Sequence, residues 1–443
     1  MSDGRLLLPD LLWDGSAWRR ESGIELDGEG TIVDVRSPEV SDAVERLPGR
    51  ALLPGFVNAH SHAFQRALRG RTQARSEDKP LDDFWTWRDQ MYRLVESLDP
   101  ESLRAVTAMC QMEMVKAGWT SVAEFHYLHH LGEDPVLEAA ALSGIRTTLV
   151  RVAYFRAGHG QSPSPGQKKF IESPDTFFDL CRVLKKKVAG NPRLSWGTGA
   201  HSLRAVGGDQ LAAVRDFARK EGVPFHMHVA EQPREGEECW NEHGMGPGEF
   251  LEKLGIPDEA TTLVHGNHFT PAEFDSLVKT GATVCVCPTT ESDLGDGFYA
   301  TGECRNREIP ISVGSDSQAV IDPFAELRGL EYLERSIHRR RICVDPLEDL
   351  FRIGSEGGSS AMGRDLGKLE KGFPADIVAI DLDHDTLAGA SDGALLPSIL
   401  LAGSPALVRD AWVGGERVVE DRRHRNEEKI RADFRAAMEA IWS

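Results

Sequence analysis

The 443-residue sequence has no run of about 18 consecutive apolar residues, the length a helix needs to cross a bilayer, so a transmembrane helix is excluded. It has no surplus of basic charge either. Its 51 Lys and Arg stand against 70 Asp and Glu, a formal net charge of −19. A nucleic-acid binder needs a basic face to displace phosphate counterions, and an anionic membrane attracts the same kind of surface. The acid excess argues against both partners. The N-terminal stretch MSDGRLLLPDLLWDG carries an apolar patch too short and too acidic for a signal peptide. Cysteine is sparse: seven residues, odd in number and scattered, which is no disulfide framework. These absences lead us to expect a cytoplasmic protein. What the sequence does have in unusual number is histidine, 15 residues, and their placement is informative.

The two ends of the chain read as β-rich. GIELDGEGTIVDV (23–35) alternates apolar and polar positions around a Gly-rich turn, the pattern of a hairpin. ADIVAIDL (375–382) and ALVRDAWVGGERVVED (406–421) read as strands, the latter turning at Gly414-Gly415. Between about 51 and 366, eight short apolar runs alternate with helical patterns: 52–60, 121–127, 146–155, 194–202, 223–231, 261–268, 282–288 and 311–316. Their length and β-branched content predict buried parallel strands. Leu103, Val106, Cys110, Met114 and Ala117 form a helical face that Gly118 stops, and Asp322-Pro323 reads as the N-cap and first position of another helix. Eight strand–helix alternations predict an α/β fold, a (β/α)8 TIM-like barrel. The polar segment 69–83 is expected as a loop over one barrel mouth.

The histidines fall at the ends of these runs: His60-x-His62, His126, His201, His226-x-His228-x-x-Glu231 and His265, with Asp316 closing the last. In a parallel barrel, groups at the C-terminal strand ends meet around one axis. Side chains alternate along a strand, so His60 and His62 point the same way and can reach one ion. With His228 and Asp316 they offer three imidazoles and a carboxylate, a set that suits Zn²⁺ or Fe²⁺. A single His at a strand end is more often a hydrogen-bonded core residue; the conjunction is what points to metal chemistry. Cys285-x-Cys287 lies inside an apolar run, and we read it as a pair of small hydrophobes rather than ligands.

PGFVNAHSH, HMHVAE, VHGNH, VGSDS and GKLEKGFPADIVAID resemble the amidohydrolase superfamily over most of the chain. The resemblance implies a metal-dependent hydrolase barrel, here over 52–366, beside a small β-sandwich built from 1–51 and 367–443. Superfamily members with two metal ions bridge them with a carbamylated Lys at a middle strand end. RTTLVRVAYF and LSWGTGAHS contain no Lys, which favours one divalent ion per chain, Zn²⁺ with Fe²⁺ as the alternative. HSHAFQRALRG, FWTWRDQMYRL, VAEFHYLHH, HSLRAV, CPTTESDLGDG and SDSQ with ELRGLEY resemble the formimidoylglutamate deiminases within that superfamily. These act in histidine degradation and hydrolyse N-formimidoyl-L-glutamate to N-formyl-L-glutamate and ammonia. Gln318 departs from the His expected after SDS, and Gly266-Asn267 from the expected Ala-Thr. Both departures leave the reactive side chains in place.

The resemblance implies roles residue by residue. His60, His62, His228 and Asp316 bind the metal. Glu231 shuttles the proton, His265 orients or stabilises developing charge, and Asp316 can also accept a proton from water. Two carboxylates on the substrate call for the planar fork of Arg, and the resemblance points to Arg88 and Arg204, with Gln65, Tyr127 and His201 as hydrogen-bonding partners. Trp85 and Trp87 are expected to pack rather than stack on a ligand, and the other ten His, including His126, His226 and His268, to be structural. The partner is thus a small dicarboxylate, and relatives are commonly homodimers. Two alternatives stay open: a deaminase of a heterocycle such as guanine, a pterin or a triazine (or an imidazolonepropionase), and a non-catalytic relative of the barrel.

Overall fold

The computed structural model describes residues 5–40, 42–74 and 83–443. Eight parallel strands follow one another round a barrel: β1 Phe56–Ser61, β2 Trp119–His126, β3 Arg146–Ala153, β4 Leu194–Ala200, β5 Phe225–Val229, β6 Thr261–His265, β7 Thr283–Val286 and β8 Ile311–Val313. Each pairs with its neighbour in sequence, as right-handed strand–helix–strand units require. Every residue of β1, β2, β3 and β5 is buried, which is why these runs read as continuously apolar rather than alternating. β8 is only three residues long, and the ring closes just past it through a parallel bridge between Ser61 and Asp316. There the Asp316 amide donates to the His60 carbonyl (3.1 Å) and the His62 amide to the Asp316 carbonyl (3.0 Å).

The helices behave as their end signals predict. Pro100–Ala117 starts in a capping box made by Asp99 and Ser102 and stops at Gly118, whose φ of 105° suits glycine. Pro323–His338 begins where the Asp322 carboxylate accepts from the amides of Phe324 and Ala325. Several strands are joined by more than one helix, and one such added helix bears on the site. Phe84–Ser97, capped by Asp83 and Thr86, lies between β1 and the helix that returns to β2. Of the loop expected over 69–83, residues 75–82 lie outside the described residues.

The ends of the chain form one mixed sheet of nine strands among the described residues, ordered Arg423–His424, Glu416–Glu420, Val408–Val413, Ile377–Asp381, Val44–Pro54, Arg5–Trp13, Gly23–Leu26 and Ile32–Arg36, with Trp18–Arg19 beside Arg5–Trp13. Both expected hairpins are present; Gly414 and Gly415 turn the C-terminal one with φ of 55° and 72°. This sheet has its own small core, which includes Leu7, Leu12, Ile24, Leu52, Ile377 and Trp412. The run 52–60, read as one strand, is two. Val44–Pro54 belongs to the terminal sheet, and Phe56 starts the barrel. Gly55 makes the change because a Cβ there would fall 2.1 Å from the Thr120 hydroxyl.

The sheet is fastened to the barrel floor by a buried ion pair. Arg146, at the start of β3, donates Nε and Nη2 to the two oxygens of Asp376 (2.6 and 2.9 Å), and the Gly414 amide donates to the same carboxylate (2.7 Å). Removing one partner of a buried pair leaves the other charge stranded. Asp376→Ala is expected to lower unfolding stability by about 3 kcal/mol, and Arg146→Met with Asp376→Leu to recover most of that loss. Denaturant midpoints compare the variants; an unchanged midpoint in Asp376→Ala would contradict the fastening role.

Candidate active site

The C-terminal ends of the strands gather the predicted residues. Gln65, Arg88, Tyr127, His201, Arg204, His62, His228, Glu231, His265 and Asp316 all line one pocket. His60 lies behind them, fully buried. Three imidazole nitrogens converge. The Nε2 atoms of His60, His62 and His228 are 3.2, 3.2 and 3.0 Å apart, and Asp316 Oδ1 lies 3.5 and 3.3 Å from those of His60 and His62. These four side chains form a buried set able to hold a metal ion.

Their contacts decide the fit. His62 Nδ1 faces the Phe125 carbonyl (3.2 Å) and His228 Nδ1 the His201 carbonyl (3.0 Å). A carbonyl only accepts, so Nδ1 carries the proton in both rings and Nε2 presents a bare lone pair. Burial lowers the pKa of all three imidazoles, that of His62 to about 3. At least two lone pairs thus face each other with no proton between them, an arrangement that a cation stabilises. Zinc–nitrogen bonds of about 2.0–2.1 Å in a tetrahedron separate neighbouring donors by about 3.3 Å, close to the observed edges. The residues fit a divalent ion.

Backbone strain aims the groups. Ala230, His265, Asp316 and Gln318 have φ of 51°, 77°, 43° and 63°, a region costly for residues other than glycine and commonest where function demands it. Ala230 turns the chain between His228 and Glu231. Burial pushes the Glu231 carboxyl well above its usual range, against the pull of His265. Burial opposes charge on His265 as well, but Glu231, Glu291 and Asp316 outweigh it and raise its pKa. His265 Nδ1 bonds Glu291 (3.0 Å), while its Nε2 lies 3.6 Å from Glu231 Oε1 and 3.8 Å from Asp316 Oδ2. Behind the metal set, Ser61 Oγ (2.6 Å) and the Ala63 amide (2.8 Å) donate to Glu124, whose carboxyl burial raises to about 7.

The substrate side is built by other elements. Helix Phe84–Ser97 supplies Trp87, Arg88, Met91 and Tyr92 to the pocket wall. Arg88 Nε and Arg204 Nε are buried with no hydrogen-bond partner among the described residues. Trp85 does not pack into the core as expected. It is half-buried, with the guanidiniums of Arg88, Arg234 and Arg204 4.6, 4.7 and 6.0 Å from its ring, a cationic platform rather than packing. Gln65 Nε2 approaches the Tyr127 hydroxyl (3.5 Å), and the Tyr127 and His201 rings meet edge-on. His226 and His268 contact backbone carbonyls of Ala361 and Asp296, which fits their structural reading.

Sequence reasoning gave no role to Glu124, Glu291 or Gln318. The first two lie inside motifs quoted above, VAEFHY and CPTTESDLGDG, but nothing in a motif says which acid turns inward. Gln318 sits at the barrel seam. Its Nε2 donates to Ser61 Oγ (3.1 Å) and the Asp316 carbonyl (2.7 Å), while its Oε1 accepts from Ser315 Oγ (2.9 Å). An amide makes all three contacts at once; an imidazole has only two ring nitrogens.

The Amidohydrolase family model matches residues 51–418. A formimidoylglutamate deiminase from Pseudomonas aeruginosa is 37% identical over 97% of this chain and 96% of its own. A 5-methylthioadenosine/S-adenosylhomocysteine deaminase from Natronomonas pharaonis is 29% identical over 95% and 92%. Among solved structures, an amidohydrolase from Brucella melitensis superposes with a TM-score of 0.91 at 32% identity, covering 99% of this chain and all of the other. An adenosine deaminase from Xanthomonas campestris, solved with bound zinc, shares the fold at a TM-score of 0.86 and 22% identity, over 99% and 98% of the two chains.

The geometry predicts metal contents. Native protein should retain about one divalent ion per chain after dialysis, and His228→Ala less than about a tenth of that. Gln318→Ala should still load one ion but with an affinity about 10-fold weaker in chelator competition. Elemental analysis measures both; an undiminished content in His228→Ala would refute the ligand set.

Proposed function

This chain belongs to the amidohydrolase family, and from that premise we propose that it is a metal-dependent deiminase hydrolysing N-formimidoyl-L-glutamate to N-formyl-L-glutamate and ammonia. One observation carries the reading beyond the family: Arg88 and Arg204 line the same pocket as the His and Asp cluster, each with a buried nitrogen lacking a partner among the described residues. Buried guanidinium nitrogens without a partner are costly unless an anion completes them, and two carboxylates on one small molecule can do so, even though Arg204 Nη1 also lies 3.8 Å from Glu235. A flat neutral heterocycle offers no such groups, which is why the deaminase alternative fits less well.

His60, His62, His228 and Asp316 would hold the ion. A divalent cation there supplies Lewis acidity, lowering the pKa of a water to about 7. We adopt zinc over iron on the three-nitrogen, one-oxygen donor set. The remaining work falls to side chains. Glu231, its affinity for a proton raised by burial, takes a proton from the water and returns it to the terminal nitrogen of the amidine. His265, kept protonated by three carboxylates, points Nε2–H at the charge that develops as the formimidoyl carbon becomes tetrahedral. Asp316 accepts the water's second proton, which also passes to the terminal nitrogen; the bond from the carbon to that nitrogen breaks as the formyl carbonyl forms, and ammonia leaves. Gln65, Tyr127 and His201 orient the amino-acid end. The setting in histidine degradation and a homodimeric state are parts of this reading that rest on the resemblance, and the cytoplasmic location is the expectation drawn from the sequence features above.

An ammonia-release assay tests it. Turnover of N-formimidoyl-L-glutamate should exceed that of guanine, S-adenosylhomocysteine and imidazolonepropionate by about 10⁴-fold in kcat/KM, as for a site that must satisfy its own buried polar groups. Arg88→Met and Arg204→Met should each cost about 100-fold on that substrate; unchanged values would sink the dicarboxylate reading. Glu231→Gln should keep its metal and lose at least about 100-fold in kcat.

A further inference from the structure

The metal cluster has a neighbour that the proposed mechanism leaves unused. Cys287, at the end of β7, is fully buried, and its thiol lies with a His265 ring nitrogen and an Asp316 carboxylate oxygen in a second set whose donor atoms all fall within 4.8 Å of one another. Asp316 divides its oxygens between the two sets. Oδ1 faces His60 and His62 at 3.5 and 3.3 Å, and Oδ2 faces His265 Nε2 at 3.8 Å. Glu231 Oε1 lies 3.6 Å from His265 Nε2 but outside this set of three. Side chains two apart on a strand share a face, so Cys285 sits one layer deeper and outside the set.

The geometry points to a second, inhibitory site for a thiophilic divalent cation, made by Cys287, His265 and Asp316. One nitrogen, one sulfur and one carboxylate oxygen match the ligand types zinc and cadmium accept, and thiolate favours these over magnesium or calcium. The bridging carboxylate would place the two ions side by side, as in two-metal sites. On binding, the thiol gives up its proton to solvent as the metal–sulfur bond forms, and His265 gives up the proton on Nε2. The ion thereby occupies His265, so excess metal removes the protonated group that faces the developing charge without displacing the ion of the first site. The inhibition rests on the role assigned to His265 above; the binding does not.

Cadmium is the probe, added to the holoenzyme that already carries its one tightly held ion. A further equivalent should produce the ultraviolet thiolate-to-cadmium band and lower ammonia release at least about tenfold, both reversed by brief chelation. Cys287→Ser should lose the band and raise the inhibitory concentration at least about tenfold, the loss expected on removing a ligand, while Cys285→Ser keeps the band. X-ray absorption at the cadmium edge of the unmutated holoenzyme gives a readout independent of any variant: a sulfur neighbour should accompany the added equivalent. No band, no sulfur neighbour, or a band that survives in Cys287→Ser overturns the site. Because the spectra need no substrate, a failure of the deiminase assignment would leave them unchanged.

Discussion

Two backbone hydrogen bonds close the barrel, and the chemistry hangs from them. The Asp316 amide donates to the His60 carbonyl and the His62 amide to the Asp316 carbonyl. They bring the first and last strands within reach, and with them three of the four metal-binding groups. β8 is too short to hold this seam by its own ladder. Side chains reinforce it: Asn58 Nδ2 donates to Ser315 Oγ (2.6 Å), the Ser315 amide donates to Asn58 Oδ1 (3.1 Å), and Gln318 ties Ser315 to Ser61. The polar network also accounts for the strain. Asp316 and Gln318 hold left-handed φ because the hydrogen bonds around them are satisfied only in that conformation, and the cost is borne by a seam that many contacts over-determine. Arg69 adds to it from outside, donating Nε and Nη2 to the Gln318 carbonyl.

The charge balance of the site follows from burial. Three imidazoles are kept neutral by desolvation, which makes them ligands. A fourth, His265, differs only in its neighbours, since three carboxylates surround it and hold a proton on it. The same ring type therefore serves two roles a few ångströms apart, decided by which groups lie within Coulomb range. Around them, Glu124, Glu291 and Asp296 are buried acids whose pKa burial raises, that of Asp296 to about 8. A chain of net charge −19 can in this way present a cationic pocket. Its interior acids are paired or protonated where they sit, while Arg88 and Arg204 on the pocket wall each keep a buried Nε with no partner among the described residues, Arg204 Nη1 lying 3.8 Å from Glu235.

Much of this was legible in the sequence, and the reasons differ by residue. The strands could be read because buried parallel strands write themselves as apolar runs, and the ligands because side-chain alternation makes His-x-His a local signal. The amide of Gln318 was visible only as a departure, since its three partners come from β1 and from the turn after β8, and only closure of the ring shows them. Trp85 was misjudged for a similar reason. Its aromatic character suggested packing, but the arginines over it come from its own helix, from the loop after β4 and from the helix after β5. The break of 52–60 at Gly55 was hidden because both halves are equally apolar. Periodicity reports burial, and burial does not say in which of two sheets a strand lies.

The placement of Arg88 suggests how such a barrel separates reaction from substrate. Every proposed reacting group, from His60 to Asp316, stands on a barrel strand or in the turn directly after one, where backbone hydrogen bonds fix it. Arg88 stands on Phe84–Ser97, a helix that the barrel does not need to close, and Arg204 on the loop after β4. Groups that must meet atoms within a few tenths of an ångström belong on the rigid elements. Groups that recognise a carboxylate at the far end of a flexible chain tolerate looser support, because a guanidinium reaches through a long side chain and binds through charge as well as direction. The catalytic half of the pocket is thus constrained by ring closure and the recognition half by an added helix. A change of substrate could be made in the second without disturbing the seam on which the first depends.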